Sequence, residues 1–396
     1  MLDLFHKNLL KYKAELEEWF LKNSEETPMP IYASVDVRYS GWKVSVVDAN
    51  YFPAGFNNIS EDLTLQFSNL FKNYLNSKYH NISHVHLFPE SHTRNRGYVE
   101  NLLRIKKIIK TAGFKVTIGS PELNGYSLLE GITEDLVLNK VSINEENILQ
   151  INGISPDLIL LNNDLTGGMI SGLSGIVEPD VDMGWHKRRK SNHYHHLQKL
   201  VDEVSSILKL DPWHLMPMWF VSEGKCLELE TCTNKLADEI DLMIEKIKIK
   251  YDTCGIDSEP VIFIKNDGGT YGLGIISIKS GEEIKKLSKR KIKRLTYGKG
   301  GSSAENFLIQ EGIPTSLIND GSVMEPVGYT IGGKDSFWFF RSNNEKNEYS
   351  NLNSPSSEFL QPNQINPESL DSKYVDWFNL VSKLSFIAMG KESIQK

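Results

Sequence analysis

A lysine followed by closely spaced glycines is the part of the sequence best suited to bind a charged ligand. The cluster comprises Lys265, Gly268, Gly269, Thr270, Gly272 and Gly274. Glycine lets the backbone approach a ligand closely, and successive exposed N–H groups in a loop form a concavity that binds anions. Apolar residues at 261–264 and 275–278 flank the cluster, so the pattern predicts two strands and a loop that closes over nucleotide phosphates. A plain hairpin with a long glycine loop is the alternative.

The glycine cluster differs from two common nucleotide-binding motifs. No Gly-Lys-Ser or Gly-Lys-Thr follows the glycines, so it is not a Walker-type phosphate loop. A second predicted strand follows the loop, whereas the dinucleotide-binding turn opens a helix.

Polar residues lie at or just beyond predicted strands in the first half of the chain. Strands are predicted near 31–37, 44–47, 84–88, 114–119 and 157–161, with helices among them. Alternating strands and helices indicate an α/β sheet, in which ligands bind beyond the carboxyl ends of the strands. The candidates near these ends are Arg38, Asp48, Asn50 and Arg94.

Each of these candidates suits part of an amino-acid substrate. Arginine can hold a carboxylate through two parallel hydrogen bonds, and Asp36 or Asp48 can hold an ammonium group. The alternatives are a structural ion pair between Asp36 and Arg38, and a capped helix start with solvated charges around Arg94.

A strongly basic segment, 184–196, lies inside a chain of net charge −7. Its cations at 187–190, Arg188 among them, suit phosphates or substrate carboxylates. A nucleic-acid patch is the alternative, which the acidic whole argues against. A zinc site from the three histidines at 193, 195 and 196 is disfavoured, because adjacent histidines rarely converge on one ion.

Oxygen ligands for a cation are predicted near the end of the chain. Asn351 and Asn353 face one side of an extended segment, and Mg²⁺ prefers oxygen ligands. An Asx-rich turn before Pro355 is the alternative.

Length and composition limit the class of protein. The 396 residues suffice for two or three domains with an ordinary soluble composition. No apolar run reaches the length of a membrane span, and no secretion signal is recognisable. The three cysteines lack metal-ligand spacing. We therefore expect a cytoplasmic protein that binds neither membranes nor nucleic acid; a homo-oligomer is left open.

The motifs together resemble the proteobacterial type of glutamate–cysteine ligase, whose C-terminal half has the ATP-grasp fold. The resemblance spans nearly the whole chain and is carried by segments 36–38, 47–58, 89–95, 184–191, 265–274, 310–312, 325–327 and 351–355. It implies an N-terminal α/β sheet domain over 1–210 and an ATP-grasp-like α+β domain over 211–396. It also implies ATP and Mg²⁺ as cofactors and L-glutamate and L-cysteine as substrates.

The family reaction needs no protein nucleophile, and the sequence offers no convincing one. ATP phosphorylates the γ-carboxylate of glutamate, and the cysteine amine displaces phosphate to give γ-glutamylcysteine, the first intermediate of glutathione synthesis. Catalysis by positioning and charge neutralisation fits such a reaction. Another ATP-grasp carboxylate–amine ligase, such as a glutathione synthetase-like enzyme, is the nearest alternative; a catalytically silent nucleotide-binding protein is a second.

The resemblance implies roles for individual residues. Lys265 and the glycine loop contact the phosphates, and Gln310, Glu311 and Gly312 read the adenine and ribose. Many ATP-grasp enzymes have glutamate where this chain has Asn351, so a carboxylate must come from elsewhere. The predicted metal ligands are Glu325, Asn351 and Asn353; the predicted catalytic residues are Lys265, Arg341 and Arg38; and the predicted substrate-binding residues are Arg38, Asp48, Asn50, Arg94 and Arg188.

Overall fold

The computed structural model describes residues 2–223, 227, 229–269, 275–296, 306–354 and 356–394. Within these ranges the fold is mixed α/β with several sheets, in agreement with the predicted fold class. The helices are α1 (Leu2–Lys11), α2 (Lys13–Glu25), α3 (Thr64–Lys78), α4 (Arg96–Thr111), α5 (Lys190–Leu208), α6 (Glu230–Cys254), α7 (Gly281–Lys285), α8 (Lys289–Thr296) and α9 (Ser372–Ile394). None of these described helices is both long and apolar enough to cross a membrane.

The strands are short and are spread along the whole described chain. They are β1 (Tyr32–Tyr39), β2 (Val44–Asn50), β3 (His84–Pro89), β4 (Lys115–Ile118), β5 (Leu128–Leu129), β6 (Leu136–Val137), β7 (Ser142–Ile143), β8 (Leu149–Gln150), β9 (Leu158–Asn162), β10 (Val177–Glu178), β11 (Trp219–Glu223), β12 (Ile262–Asn266), β13 (Ile275–Ile278), β14 (Asn306–Glu311), β15 (Ile318–Asn319), β16 (Ser322–Ile331), β17 (Phe337–Asn343) and β18 (Glu358–Leu360). Two small hairpins, β5–β6 and β7–β8, stand apart from the three larger sheets.

The largest sheet joins the two ends of the chain. Its strand order is β18-β17-β16-β1-β2, with β15 paired to β16, and the pairing is antiparallel throughout. The two strands predicted near 31–37 and 44–47 therefore do not belong to the α/β sheet expected for the first half. The first of them, β1, pairs with the C-terminal strand β16, and β2 pairs with β1. This sheet contains strands from both sides of the domain boundary predicted at residue 210. For the other elements, the division into two domains stays a prediction.

The other two sheets keep closer to the predicted pattern. The parallel sheet β10-β9-β3-β4 contains the other three strands predicted for the first half, near 84–88, 114–119 and 157–161, and α4 packs beside it through a buried apolar face. The antiparallel sheet β11-β14-β12-β13 contains both arms of the predicted glycine hairpin, paired from Ile262 with Ile278 to Lys265 with Ile275.

Two long helices support the strands that carry the candidate residues. Helix α9 contacts α5, β1 and β2. From Trp377 onward most residues of α9 are buried, and Trp377, Phe378 and Phe386 are 0% exposed. A helix that is apolar around most of its circumference must be enclosed by protein, which fixes the end of the chain beneath the first two strands.

Candidate active site

A cleft between the largest sheet and the glycine-hairpin sheet is lined by eight of the predicted site residues. The cleft is partly open to solvent. Its lining residues are Asp36, Arg38, Val47, Asp48, Phe263, Lys265, Ile275, Gln310, Glu311, Ile313, Glu325, Tyr349, Asn351 and Asn353. Predicted phosphate-binding, substrate-binding and metal-binding residues thus lie in one place.

Four charged residues form a continuous network on the largest sheet. Glu325 and Arg341 are cross-strand partners, and Arg341 donates from Nη1 to Glu325 Oε1 at 2.7 Å. Arg341 also holds both oxygens of Asp36, at 3.1 and 3.2 Å. Arg38 Nε lies 2.6 Å from the other oxygen of Glu325. Burial disfavours the charge of Arg341, but Asp36 and Glu325 more than offset it and raise its pKa.

Arg38 also holds a neighbouring loop. Its two terminal nitrogens each donate to a backbone carbonyl, those of Glu348 and Ser350, at 2.7 Å. Tyr349, between these two residues, lines the cleft. The predicted substrate ligand Arg38 is therefore engaged on one side by Glu325 and on the other by this loop.

Lys265 occupies the end of β12, at the entrance to the glycine loop. It is buried, and Nζ donates to the carbonyl of Val47 at 3.0 Å. Burial lowers the pKa of Lys265 to about 8, partly opposed by Asp48 and assisted by Lys190. The Lys265 ammonium can bind an anion at the entrance to the glycine loop, and its pKa depends on the charges of its neighbours.

The first two glycines make a tight turn. Gly268 N and Gly269 N donate to the side-chain and backbone oxygens of Asn266, at 3.0 and 3.1 Å. A Cβ at Gly269 would lie 3.0 Å from the Asn266 Cβ, tighter than ordinary contact. The remaining predicted loop residues, Thr270, Gly272 and Gly274, lie outside the described residues.

Strand β14 ends at the cleft with a glutamine and a glutamate in different situations. Gln310 is 1% exposed and donates to the Tyr194 hydroxyl at 2.6 Å, while its Oε1 has no hydrogen-bond partner among the described residues. Glu311 is also buried, but Lys43 Nζ lies 2.6 Å from its Oε2. The indole of Trp213 and the backbone N–H of Met218 complete its environment.

Gly312 directly follows Glu311 and stands where only glycine fits. Its N–H donates to the carbonyl of Val261 at 2.7 Å. A Cβ at Gly312 would lie 2.9 Å from that oxygen and 3.0 Å from the ring of Phe263. The absence of a side chain lets two strands approach beside the cleft.

Three predicted substrate-binding residues do not line the cleft as described. Arg188 is buried in an ion pair with Glu392 of α9, with Nε 2.9 Å from Oε2. Asn50 closes a turn by accepting from Phe52 N at 2.9 Å. Arg94 is exposed in the turn before α4. Their assignment to substrate stays a prediction.

The predicted metal ligands share the cleft without forming a ready-made cage. Asn351 and Asn353 are exposed, and Asn351 Oδ1 accepts from the Asn353 N–H at 2.8 Å, which is an Asx turn. Both oxygens of Glu325 are engaged by arginines. Among the described residues, no group of three or more histidine, cysteine, aspartate or glutamate side chains is arranged to hold a metal ion.

The family model of glutamate-cysteine ligase matches residues 6–393. The chain belongs to the glutamate-cysteine ligase family. This membership supports glutamate-cysteine ligase as the activity and implies the use of ATP; it does not favour a glutathione synthetase-like ligase.

One solved structure agrees with that family. A protein from Methylobacillus flagellatus KT, provisionally assigned as a gamma-glutamylcysteine synthetase, is 30% identical, with a TM-score of 0.88 over 98% of this chain and 95% of the other. A glutathione synthetase-like effector from Globodera pallida is 10% identical, with a TM-score of 0.38 over 92% and 84%. D-alanyl-alanine synthetase A from Vibrio cholerae is 10% identical, with a TM-score of 0.35 over 77% of this chain and 82% of the other. Curated protein sequences give no match.

In this member of the glutamate-cysteine ligase family, two lysines support the cleft from behind, and the sequence did not single out either of them. Lys43 pairs with Glu311 and lies 4.1 Å from the centre of the Trp213 ring. Lys190 reaches Asp48 from α5. Lys190 belongs to the basic segment that the sequence shows, but the sequence does not tell which way each of the four consecutive cations points.

Proposed function

We propose that this cleft joins the γ-carboxylate of L-glutamate to the amine of L-cysteine at the expense of ATP. The observation that carries the proposal is the meeting of two chemically different walls. Lys265 and Gln310 come from the glycine-hairpin sheet, and Arg38 and Asp48 come from the largest sheet. The first pair suits a nucleotide and the second an amino acid, so one cleft offers binding groups for both reactants.

The wall formed by β12–β14 suits ATP. Gln310 Oε1 is a buried acceptor for which the described part of the chain offers no donor, and a nucleobase amino group is a donor of that kind. Phe263, Ile275 and Ile313 offer apolar contacts beside it. Lys265 supplies positive charge where phosphates would follow. This wall is our candidate for the nucleotide-binding part of an ATP-grasp-like domain.

Glu311 has a supporting role in this proposal. Both of its oxygens accept hydrogen bonds inside the protein, so its side chain is committed to Lys43, Trp213 and Met218. Its contribution to nucleotide binding is then to fix the end of β14, from which Gln310 reaches the cleft.

The reaction needs positioning more than covalent participation by the protein. Bound ATP supplies the phosphoryl group that converts the γ-carboxylate into an acyl phosphate, which the cysteine amine then attacks. Lys265 neutralises negative charge that develops during this transfer. Asp48 holds an ammonium group, and the Asp36–Arg341–Glu325–Arg38 network keeps the opposite wall rigid.

A magnesium ion fits the predicted ligand set only in part. Asn351 and Asn353 line the cleft and carry amide oxygens, which suit a hard cation, although Asn351 Oδ1 accepts from the Asn353 N–H here. Glu325 does not fit, because each of its oxygens already faces an arginine, at 2.6 and 2.7 Å. We therefore assign Glu325 to the arginine network and derive no step through the metal.

The decisive experiment measures ADP release with ATP, Mg²⁺ and L-glutamate, with and without L-cysteine, and identifies the product by mass spectrometry. Cysteine-dependent ADP with a γ-linked dipeptide is the expected result. Lys265→Ala should retain the fold and lower kcat about 100- to 1,000-fold, the usual effect of removing one preorganised charge-stabilising group. Lys279→Ala is the matched control, because this lysine lies just past the next strand in a solvent-exposed pair with Glu259. An undiminished kcat in Lys265→Ala would remove Lys265 from the mechanism.

A further inference from the structure

The cations at 187–190 point in different directions. Lys187 lies on the surface, 59% exposed, with Nζ 2.8 Å from Asp182. Arg188 is buried against Glu392. Lys190, the first residue of α5, turns toward the cleft, where its Nζ lies 2.5 Å from Asp48 Oδ1. One cation of this segment therefore reaches a residue that lines the candidate active site.

Two lysines converge on the single carboxylate of Asp48. Lys190 pairs with it directly, and Lys265 is close enough for Asp48 to raise, and Lys190 to lower, the pKa of Lys265. Partial burial disfavours ionisation of Asp48, but the two lysines outweigh this and lower its pKa. Arg188, also nearby, is neutralised by Glu392. Asp48 is thus one carboxylate acting on two lysines at the cleft wall, and Asp36 also acts on Lys265.

The pair is placed where an incoming anion can reach it. The Lys190 side chain is 9% exposed, whereas that of Asp48 is 44% exposed and lines the cleft. The carboxylate thus stands between the buried ammonium and the open space. An oxyanion entering the cleft can take the place of Asp48 beside Lys190, while Asp48 turns to the ammonium of an amino acid.

We propose that Lys190 is a substrate-binding residue. When the reactants bind, its ammonium exchanges the ion pair with Asp48 for an ion pair with an oxyanion of a reactant. That oxyanion is a carboxylate of the amino-acid substrate or the phosphoryl group in transfer. The inference rests on the proposed function, since it concerns the same cleft, and it replaces Arg188 by Lys190 as the cation of the basic segment that meets a reactant.

The position of Lys190 is tied to the start of the glycine loop. Its backbone N–H donates to the Asp267 carbonyl at 2.9 Å. The Asp267 carboxylate accepts from Ser191 N and Oγ at 2.7 and 2.6 Å. Because Asp267 directly precedes Gly268, it joins the loop and the helix start. Asp267 is a positioning residue for Lys190.

The test compares Lys190→Met with its matched control Lys187→Met, which removes a charge from the same segment outside the cleft. Initial rates are measured against ATP, L-glutamate and L-cysteine separately. We expect Lys190→Met to raise the KM of one amino acid, or to lower kcat, by about 10- to 100-fold, as for loss of one charge-assisted hydrogen bond. A raised KM identifies a substrate carboxylate; a lowered kcat with unchanged KM values identifies the phosphoryl group. Lys190→Arg should restore part of the loss.

Kinetic constants within twofold of wild type in a folded Lys190→Met protein would overturn the inference. Thermal unfolding of each variant verifies folding. Calorimetric titration with L-glutamate and with a non-hydrolysable ATP analogue separates this inference from the proposed function. Weakened binding in Lys190→Met would support Lys190 even if wild type made no dipeptide. Dipeptide formation by wild type, with both binding and kinetics unchanged in Lys190→Met, would retain the function and reject Lys190.

Asp267→Ala provides an independent arm. If Asp267 acts by positioning Lys190, the Asp267→Ala variant shifts the same kinetic constant, and adding Lys190→Met causes little further change. Independent, additive effects of the two substitutions would contradict the positioning role.

Discussion

Arg188→Met should chiefly damage stability, although the sequence assigned Arg188 to substrate binding. The guanidinium is 3% exposed and donates to both oxygens of Glu392, at 2.9 and 3.2 Å, and to the carbonyl of Ala49 at 2.7 Å. His193 lies 2.6 Å from the same carboxylate. Removal of the guanidinium leaves Glu392, 1% exposed, with one partner fewer in a site without water access.

The magnitude follows from the burial of both charges. Breaking a buried ion pair on one side costs about 3–5 kcal/mol. Burial alone would raise the pKa of Glu392, but Arg188 and His193 lower it to about 2. A lowering of this size corresponds to roughly 3 kcal/mol between the two protonation states. Because the folded pKa is depressed, this stabilisation is present above the ordinary glutamate pKa and is lost as the pH falls toward 2.

Urea unfolding of wild type, Arg188→Met, Glu392→Leu and the double variant measures the effect as a cycle. Each single variant should lose about 3–5 kcal/mol, and the double variant should recover much of it because no unpaired charge remains. Lys187→Met, at an exposed pair, should lose at most about 1 kcal/mol. Wild-type stability for Arg188→Met together with a strongly raised KM for glutamate would refute this reasoning and restore the substrate role.

The remaining predictions concern the cleft. The value of kcat/KM for ATP should fall as the pH rises through about 8, because Lys265 then loses its proton; in Asp48→Asn the pH profile should shift to lower pH, since the carboxylate that raises this pKa is gone. Lys43→Met should cost about 3–5 kcal/mol in urea unfolding, because it leaves Glu311 buried without its cation. Glu325→Gln should weaken stability but leave the Mg²⁺ concentration for half-maximal activity within about twofold; an increase of about tenfold, the usual effect of disturbing a metal site, would restore Glu325 as a metal ligand.

Local patterns in the sequence predict the parts of the fold that depend on neighbouring residues. The glycine hairpin could be predicted because its apolar arms at 261–264 and 275–278 are close in sequence and pair directly. The parallel strands could be predicted because strand and helix alternate there. The pairing of β1 with β16 could not be predicted, since β16 lies almost 300 residues away and no local signal specifies that pairing.

The same limit applies to individual site residues. Lys265 and Gln310 could be assigned to the cleft because a motif fixes their place. The direction of each cation in 187–190 depends on how the backbone enters α5, so the sequence could not separate buried Arg188 from Lys190. The roles proposed for Glu311 and Glu325 depend on distant cations, Lys43 and Arg38, which tertiary pairing brings to them.

The long-range pairing has a direct consequence for how the cleft forms. Asp36 stands opposite Asp48 in β2, and like charges at such positions destabilise a sheet. Arg341, 305 residues away in sequence, binds Asp36, and Lys190 binds Asp48. The two carboxylates are therefore compensated only after the C-terminal strands and α5 have docked. Loops of this length close late and at an entropic cost. The substrate-binding wall therefore becomes stable only with the complete fold. We expect that destabilising either the N-terminal or the C-terminal strands of the largest sheet reduces activity before the glycine-hairpin sheet unfolds.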